Sequence, residues 1–369
     1  MIVTKARDNG LVRLTREVAE WLLTTPRYGS PHGVSVYVDA KLERSRRFDA
    51  PGLIASFPPA AQLLRYWTPE LCWAEPERFD LVLTLGGDGT VLFTSWLFQR
   101  VVPPVLSFSL GSLGFLAGFE FDRYRDVLAR VMGEEGMRVS LRMRFTCTIY
   151  RQSASGLPGN GGGEGGEALV EGEQYEVLNE LVLDRGPSSY VSSLELLCNG
   201  ALLTHIQADG CILSTPTGST AYSLSAGGSL VHPAIPAILL TPICPHTLSF
   251  RPMILSDSME LRLRVPRGSR STAWCAFDGK ARVELRQGDC VVVEASRYPF
   301  PTVGAGEMEW FESIARTLRW NVRGAQQKGW VGGEGGKSCA EGGEGEDAGF
   351  DIDFDSDEKD SGAEAEEIG

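Results

Sequence analysis

The chain has 369 residues, of which 43% are hydrophobic, and a formal charge of -13. Residues 331–369 hold most of that charge, so the remainder is close to neutral and lacks the clustered basic face that nucleic-acid binding needs. No run approaches about eighteen apolar residues and no secretory signal is recognisable, which predicts a cytoplasmic protein without a membrane span. The eight cysteines and four histidines lack metal-ligand spacing, so we expect free thiols and no dedicated metal site.

Strand-like and helix-like patterns alternate at the start of the chain. Strands are predicted at residues 1–3, 34–38, 79–85 and 105–108, and helices at 11–23 and 91–98. Strands that alternate with helices indicate a parallel sheet with helical crossovers. We therefore predict an α/β domain with a Rossmann-like parallel sheet over residues 1–141.

From about Leu141 the pattern changes to short β-rich runs at residues 145–150, 175–183, 194–197 and 290–294. These runs predict a second, mainly β domain over residues 142–303, interrupted by a glycine-rich loop at 156–166. Apolar residues at helical spacing predict a terminal helix within residues 304–323. Residues 324–369 are rich in glycine and acidic side chains, a composition typical of disorder.

A glycine-rich motif, Gly86-Gly87-Asp88-Gly89-Thr90, stands where a predicted parallel strand ends and a helix begins. Ligands of open α/β sheets bind at that edge, and glycines allow backbone amides to approach a phosphate. Asp88 could accept a proton from an attacking hydroxyl or help to hold Mg²⁺ on nucleotide phosphates. A tight turn in which Asp88 or Thr90 caps the helix explains the motif equally well.

Two shorter motifs combine polar or aromatic side chains with apolar neighbours. Phe115 is the sixth residue of the run LGSLGFL at residues 110–116, and its ring could serve either as part of the core or as a platform for a base. Asn179 and Glu180 lie side by side in an otherwise apolar strand, so one of them must point inward and needs a partner. Ribose hydroxyls and an adenine edge are suitable partners, and a polar pair at a hairpin end is the alternative.

The densest motif covers residues 207–228 and is predicted to form a strand, a hydroxyl-rich turn and the start of a helix. Its serine and threonine hydroxyls could cap the helix or contact sugars and phosphates, because both roles use the same geometry. The residues alone favour capping.

Together these motifs resemble the NAD kinase family in its eukaryotic form. The resemblance rests on GGDGT at 86–90, LGSLGFL at 110–116, Asn179-Glu180, and the block DGxxxSTPTGSTAY that begins at Asp209. It is supported by the runs at 241–252 and 277–280, and it extends over residues 2–323. It implies an α/β phosphate-binding domain, a β-sandwich NAD-binding domain, and a terminal helix that returns to the first domain.

The resemblance also implies roles for individual residues. Asp88 is expected to be the catalytic base, Phe115 to lie against the adenine of NAD, Asn179 to bind that adenine, and Glu180 to bind the adenosine ribose. Further NAD contacts are expected from Gly89, Asp209, Thr220, Ala221, Tyr222 and Ser225, and phosphate contacts from Gly86, Gly87, Gly89 and Thr90. Additional candidates are Gln207, Arg251, Asp278 and Lys280, the last where the family usually has arginine.

The implied reaction transfers the γ-phosphate of ATP, with Mg²⁺ or another divalent cation, to the adenosine 2'-hydroxyl of NAD, giving NADP and ADP. NAD and ATP are the expected partners, without nucleic acid or membrane, and the family implies a homo-oligomer. A lipid kinase with the same glycine loop would leave the motifs at 179–180 and 209–225 unexplained. A catalytically silent NAD-binding regulator is the third hypothesis, and the intact glycine loop disfavours it.

Overall fold

Two large sheets, one mainly parallel and one antiparallel, organise the chain in the computed structural model. The structure describes residues 1–6, 8–111, 114–153, 169–304, 306 and 308–321. The described residues up to Asn321 belong to one compact unit, Met1–Asn321. The predictions for residues 156–166 and 324–369 therefore lie outside the described residues.

Strands alternate with helices over most of the chain up to Val131, as predicted, apart from one pair of successive helices and one pair of successive strands. The elements are β1 (Ile2–Thr4), α1 (Asn9–Thr24), β2 (Val36–Asp39), α2 (Ala50–Ser56), α3 (Ala60–Leu63), β3 (Leu64–Trp67), α4 (Pro69–Ala74), β4 (Val82–Leu85), α5 (Asp88–Leu97), β5 (Val105–Ser109), β6 (Phe119–Glu120) and α6 (Tyr124–Val131). Helix α1 begins where the Asp8 side chain accepts a hydrogen bond from the amide of Gly10, and it buries Val18 and Leu22, four residues apart, against the sheet.

Short strands dominate the remainder of the described chain. They are β7 (Val139–Arg142), β8 (Phe145–Gln152), β9 (Leu169–Val177), β10 (Glu180–Asp184), β11 (Ser192–Cys198), β12 (Ala201–Ser214), β13 (Ala237–Pro245), β14 (Met253–Ser256), β15 (Leu261–Arg264), β16 (Ala273–Phe277), β17 (Lys280–Leu285), β18 (Cys290–Ala295) and β19 (Phe300–Val303). A 3₁₀ turn at Thr217–Thr220 leads into α7 (Tyr222–Ser225), and α8 (Glu309–Leu318) comes last.

The first sheet has the order β1-β4-β5-β19-β7, with β6 paired to β5. β1, β4, β5 and β19 are mutually parallel and β7 is an antiparallel edge strand, so the predicted parallel sheet is confirmed. β19 lies within the range that we predict for the second domain, 142–303, yet it joins the first sheet beside β5. The chain therefore returns to the first sheet before its terminal helix. The domain boundaries at 141 and 303 stay a prediction.

The second sheet has the order β17-β16-β10-β12-β11-β15-β18-β8-β9, with β13 beside β12 and β14 beside β13. Its pairings are antiparallel, and side chains such as Phe145, Leu181 and Leu213 are fully buried in its core. The predicted mainly β second part of the fold is confirmed. None of the described helices is long and apolar enough to cross a membrane.

The β-rich run at 175–183 contributes to two strands, because β9 ends at Val177 and β10 begins at Glu180, with Leu178 and Asn179 between them. The carboxylate of Asp278 accepts hydrogen bonds from the backbone amides of Leu178 at 2.8 Å, Asn179 at 2.7 Å and Glu180 at 3.1 Å. These amides point at one side chain instead of at a neighbouring strand, so regular pairing is interrupted there.

The predicted terminal helix is confirmed as α8. Its first residue, Glu309, lies against Gly118, where an added Cβ would come 2.2 Å from Glu309 Oε1. Trp310 packs edge-on against His232, with ring centroids 4.9 Å apart. The helix therefore contacts both the segment before β6 and the loop that precedes β13.

Candidate active site

The glycine motif links β4 to α5, as predicted, with Gly87 at the helix N-cap. Neither Gly87 nor Gly89 has a positive φ, and a Cβ added to either would meet no atom within 4 Å. The packing of the chain therefore does not require glycine at these two positions. Open space beside the first amides of a helix suits the approach of an anion such as a phosphate.

Asp88 reaches across from this motif to the loop at 114–117. Its Oδ2 accepts a hydrogen bond from the Phe115 amide at 3.0 Å, and its Oδ1 accepts from the amides of Leu116 at 2.9 Å and Ala117 at 3.3 Å. A Cβ on Gly114 would lie only 2.1 Å from Oδ1, so glycine is required for this approach. Asp88 thus ties the two loops together.

The capping alternative for Asp88 is wrong, because the N-cap residue of α5 is Gly87, no side chain caps the helix, and the Asp88 carboxylate faces the other loop. A carboxylate offers about four acceptor sites. Oδ1 uses two on the amides of Leu116 and Ala117, while Oδ2 uses one on Phe115. Within the described part of the chain, one acceptor direction on Oδ2 therefore remains for a hydroxyl group.

Three segments of the motifs meet in one apolar cluster. Val91 of α5, Leu116 of the loop and Leu178 before β10 are buried together in it. Phe115, next to Leu116, is only half-buried, so the alternative of a fully buried core phenylalanine does not hold. The cluster brings the Asp88 helix, the Phe115 loop and the Asn179-Glu180 segment into one region.

Asn179 and Glu180 each carry a buried oxygen without a hydrogen-bond partner in the described part of the chain, namely Asn179 Oδ1 and Glu180 Oε2. Burial and, to a smaller extent, the charge of Asp278 raise the pKa of Glu180, a hydrogen bond from the Tyr222 amide lowers it, and the net result is a pKa of about 7. A polar pair at an exposed hairpin end would be hydrated. Asn179 Oδ1 and Glu180 Oε2 are instead buried, and among the described residues they lack the donors that buried oxygens require.

Asp278 is the residue that holds this segment in place, and it lies with φ of 48° in the turn between β16 and β17. Burial raises the pKa of its carboxyl, while the three amides of residues 178–180 lower it. Two residues on, Lys280 places its Nζ 4.6 Å from the ring centre of Phe93 and 5.3 Å from that of Trp96. The Asp278 turn therefore contacts α5, which carries Asp88.

The hydroxyl-rich turn holds the same segment from its other side. Thr215 donates its hydroxyl to the Leu178 carbonyl at 2.6 Å and its amide to the Asn179 carbonyl at 2.9 Å. Ser214, Thr215, Ser219 and Ser223 are buried and bonded within the fold. The predicted NAD contacts Thr220, Ala221, Tyr222 and Ser225 are instead half-buried or exposed. The block thus divides into inner hydroxyls that shape the turn and outer side chains accessible to a ligand.

Three predicted candidates lie apart from these contacts. Asp209 forms an ion pair with Arg185 at 3.1 Å, and Gln207 is exposed on the same strand, β12. Arg251 is exposed between β13 and β14. Among the described hydrogen bonds and ion pairs, none joins these three residues to Asp88, Asn179 or Glu180.

Two basic residues near the site escaped the sequence analysis. Lys5 follows β1, donates its amide to the Leu85 carbonyl at 3.0 Å, and has its Cβ 3.2 Å from the Cβ position of Gly86. Its exposed side chain stands at the edge of the glycine motif. Arg142 donates to Thr302 at 3.1 Å, and burial lowers its pKa against the charges of Glu309 and Asp88. A lysine two residues after the first predicted strand was a usable signal for Lys5.

Comparisons with known proteins identify relatives of the chain. The family model of the ATP-NAD kinase N-terminal domain matches residues 1–136, and that of the ATP-NAD kinase C-terminal domain matches residues 178–305. The NAD(+) kinase of Saccharomyces cerevisiae is 52% identical over 330 residues, which are 89% of this chain and 60% of that protein. The ATP-NADH kinase YEF1 of the same yeast is 46% identical over 328 residues, 89% of this chain and 65% of the relative.

Among solved structures, yeast NADH kinase complexed with NADH superposes with a TM-score of 0.70 at 30% identity, covering 89% of each chain. The chain spans about 60% and 65% of the two curated relatives. Both domain matches, the identity and the shared fold show that the chain belongs to the ATP-NAD kinase family.

Proposed function

We propose that this protein phosphorylates the 2'-hydroxyl of the adenosine ribose of NAD with ATP, giving NADP and ADP. The observation that carries the proposal is the pair of buried, unpartnered oxygens on Asn179 and Glu180, packed beside the helix that carries Asp88. Each such atom costs about 1–3 kcal/mol when it lacks a donor. An adenine amino group and ribose hydroxyls are donors of the right kind.

In this proposal Asp88 accepts the proton of the 2'-hydroxyl on the free acceptor direction of Oδ2 as that oxygen attacks the γ-phosphate. The amides around Gly87 and Gly89 and the ammonium of Lys5 stabilise the charge on the transferring group, which is the main task in phosphoryl transfer. Phe115 lies against the adenine, and the outer side chains of the hydroxyl-rich turn bind the remainder of NAD. The names of the yeast relatives support these substrates.

The divalent cation enters this proposal as part of the nucleotide substrate. Among the described residues, no three His, Cys, Asp or Glu side chains lie together as a metal site. Three of the acceptor sites of Asp88 are already used by amides. This arrangement suits Mg²⁺ that lies near Asp88 and is held by phosphates and water, because the proposal assigns the remaining acceptor direction of Asp88 to the 2'-hydroxyl.

A homo-oligomer, which the family resemblance implies, and a cytoplasmic location are further parts of the proposal. Light scattering on the purified protein tests the first of these. Imaging of a tagged full-length protein tests the second.

The direct test incubates the protein with NAD, ATP and Mg²⁺ and couples any NADP to a strictly NADP-dependent dehydrogenase. Neither a lipid kinase nor a silent NAD-binding protein would generate a signal. Asp88→Asn should lower kcat by ~10²- to 10⁴-fold through loss of the base. Because Asn retains one acceptor oxygen and loses the bond from Phe115, the variant should also lose about 1.5–3 kcal/mol of unfolding free energy.

A matched control is Asp289→Asn. Asp289 is 5% exposed and accepts the amides of Gln152 at 2.9 Å and Arg286 at 3.0 Å, within the second sheet. Its replacement should lower stability similarly and leave kcat unchanged. Full turnover by Asp88→Asn at neutral pH would contradict the base assignment.

A further inference from the structure

The far end of helix α5 is held by one buried cation of the second sheet. Arg144, directly before β8, is 0% exposed. Its Nε donates to the Tyr298 carbonyl at 2.7 Å, Nη1 to the Phe98 carbonyl at 2.8 Å, and Nη2 to the Arg100 carbonyl at 3.0 Å. Nη1 also lies 3.4 Å from the Ser95 carbonyl. The guanidinium therefore binds backbone oxygens at the end of α5 and just beyond it.

We propose that Arg144 is a positioning residue that sets the location of Asp88 relative to Asn179 and Glu180, and so controls turnover more than substrate affinity. The inference rests on the proposed kinase function. It concerns a residue that lies at the opposite end of α5 from the glycine motif and outside every sequence motif of the site.

The chemistry of a helix end explains why arginine suits this task. The last carbonyls of a helix lack intrahelical partners and form the negative end of its dipole, so a cation is favourable there. Guanidinium presents five donors in a rigid planar fork, which fixes several carbonyls in one geometry. Burial lowers the pKa of Arg144 to about 10, against the charges of Glu176 and Asp278, so the group stays charged at neutral pH.

The helix itself connects Arg144 to the chemistry. α5 starts at Asp88 and ends at Leu97, a rigid rod of ten residues and about 15 Å. Two further contacts join α5 and the residues just after it to the second sheet: the Glu176 amide donates to Gln99 Oε1 at 3.0 Å, and Lys280 lies over Phe93. Because Glu180 is the first residue of β10 in that sheet and Asn179 directly precedes it, these contacts set the distance from Asp88 to the proposed NAD-binding pair.

Kinetics of Arg144→Lys and Arg144→Ala test the inference. A shift of about 1 Å in a reacting group can cost ~10²-fold in rate. We therefore expect kcat to fall ~10- to 100-fold, with the KM values for NAD and ATP changing by less than about threefold. Arg151→Ala is the matched control, because Arg151 lies on β8 and bonds to Asp289 without touching α5. It should lose stability and retain kcat.

Chemical rescue separates positioning from general stability. A cavity of about 440 Å³ is lined by Gln99, Arg100 and Tyr298, next to the oxygens that Arg144 binds, so a small cation can enter the space left in Arg144→Ala. Guanidinium at millimolar concentration should restore kcat in that variant, whereas urea, which is similar in shape but uncharged, should not. Arg151→Ala should show no such rescue.

Two results would overturn the inference: wild-type kcat in the folded Arg144 variants, or guanidinium that restores the melting temperature of Arg144→Ala without restoring kcat. If Arg144→Ala does not fold, Arg144→Lys decides the question alone.

Should the wild-type chain form no NADP, the proposed function fails, and the positioning role of Arg144 is then tested by hydrogen exchange. The amides of Leu116 and Ala117, which bind Asp88, should exchange faster in Arg144→Lys and not in Arg151→Ala.

Discussion

Replacing Glu180 by glutamine should make the ligand-free protein more stable and NAD binding weaker. The folded pKa of Glu180 is about 7, against an ordinary value of 4.5. The difference of about 2.5 pH units, at about 1.36 kcal/mol each, corresponds to ~3 kcal/mol. Glu180 is half-buried, and its Oε2 has no partner among the described residues, so the penalty arises from an unsatisfied charge.

The direction of the pH dependence follows from which state, folded or unfolded, holds the proton of Glu180 more tightly. Because the folded pKa exceeds the unfolded one, Glu180 costs nothing below about pH 4.5, where both states are protonated. Stability then falls as the pH rises, and the full penalty is present above about pH 7. Glutamine cannot ionise, so Glu180→Gln should match the wild type near pH 4 and exceed it by up to ~3 kcal/mol at pH 8.

Urea denaturation of both proteins at several pH values between 4 and 8 measures this difference, because titrating groups that do not interact with Glu180 contribute equally to both. Calorimetric titration with NAD supplies the second readout. In the proposed binding mode the ribose hydroxyls donate to the ionised carboxylate of Glu180, so wild-type affinity should rise as the pH passes about 7 and the variant should bind more weakly throughout. Parallel stability curves for the two proteins, or undiminished NAD binding by Glu180→Gln, would refute the reasoning.

Two further substitutions test other contacts of the site. Gly114→Ala places a Cβ 2.1 Å from Asp88 Oδ1, so it should lower the free energy of unfolding by about 1–3 kcal/mol and remove most activity. Gly111→Ala is its control, because the added Cβ meets no atom within 4 Å. That variant should resemble the wild type in thermal melts and coupled assays. Lys5→Met should raise the KM for ATP roughly tenfold, since a hydrogen bond to a charged group is worth about 1.5–3 kcal/mol. Arg130→Met, in the last turn of α6, is its control, and equal KM values for the two variants would exclude Lys5 from the phosphate site.

Much of the fold could be predicted because the relevant signals are local. The alternation of strands and helices, the break from β4 to α5 at the glycine motif, and the terminal helix are all visible as periodicity and turn residues within a few positions. Asn179 and Glu180 were also visible, since two polar side chains in an apolar run must find partners. The sequence alone therefore determined the parallel sheet, the β-rich second part and the motifs from which the proposed site is built.

The tertiary structure alone decided how those segments hold one another. Asp88 binds amides 27 to 29 positions away, Asp278 binds amides 98 to 100 positions away, and Arg144 binds carbonyls on both α5 and Tyr298. No local pattern specifies such pairs, because the pairing of a side chain with a distant backbone group depends on strand register and packing. For the same reason, only the folded chain shows three further features. They are the break between β9 and β10 at Leu178, the location of Lys5 beside the glycine motif, and the hydrogen bonds of Arg144 to the end of α5.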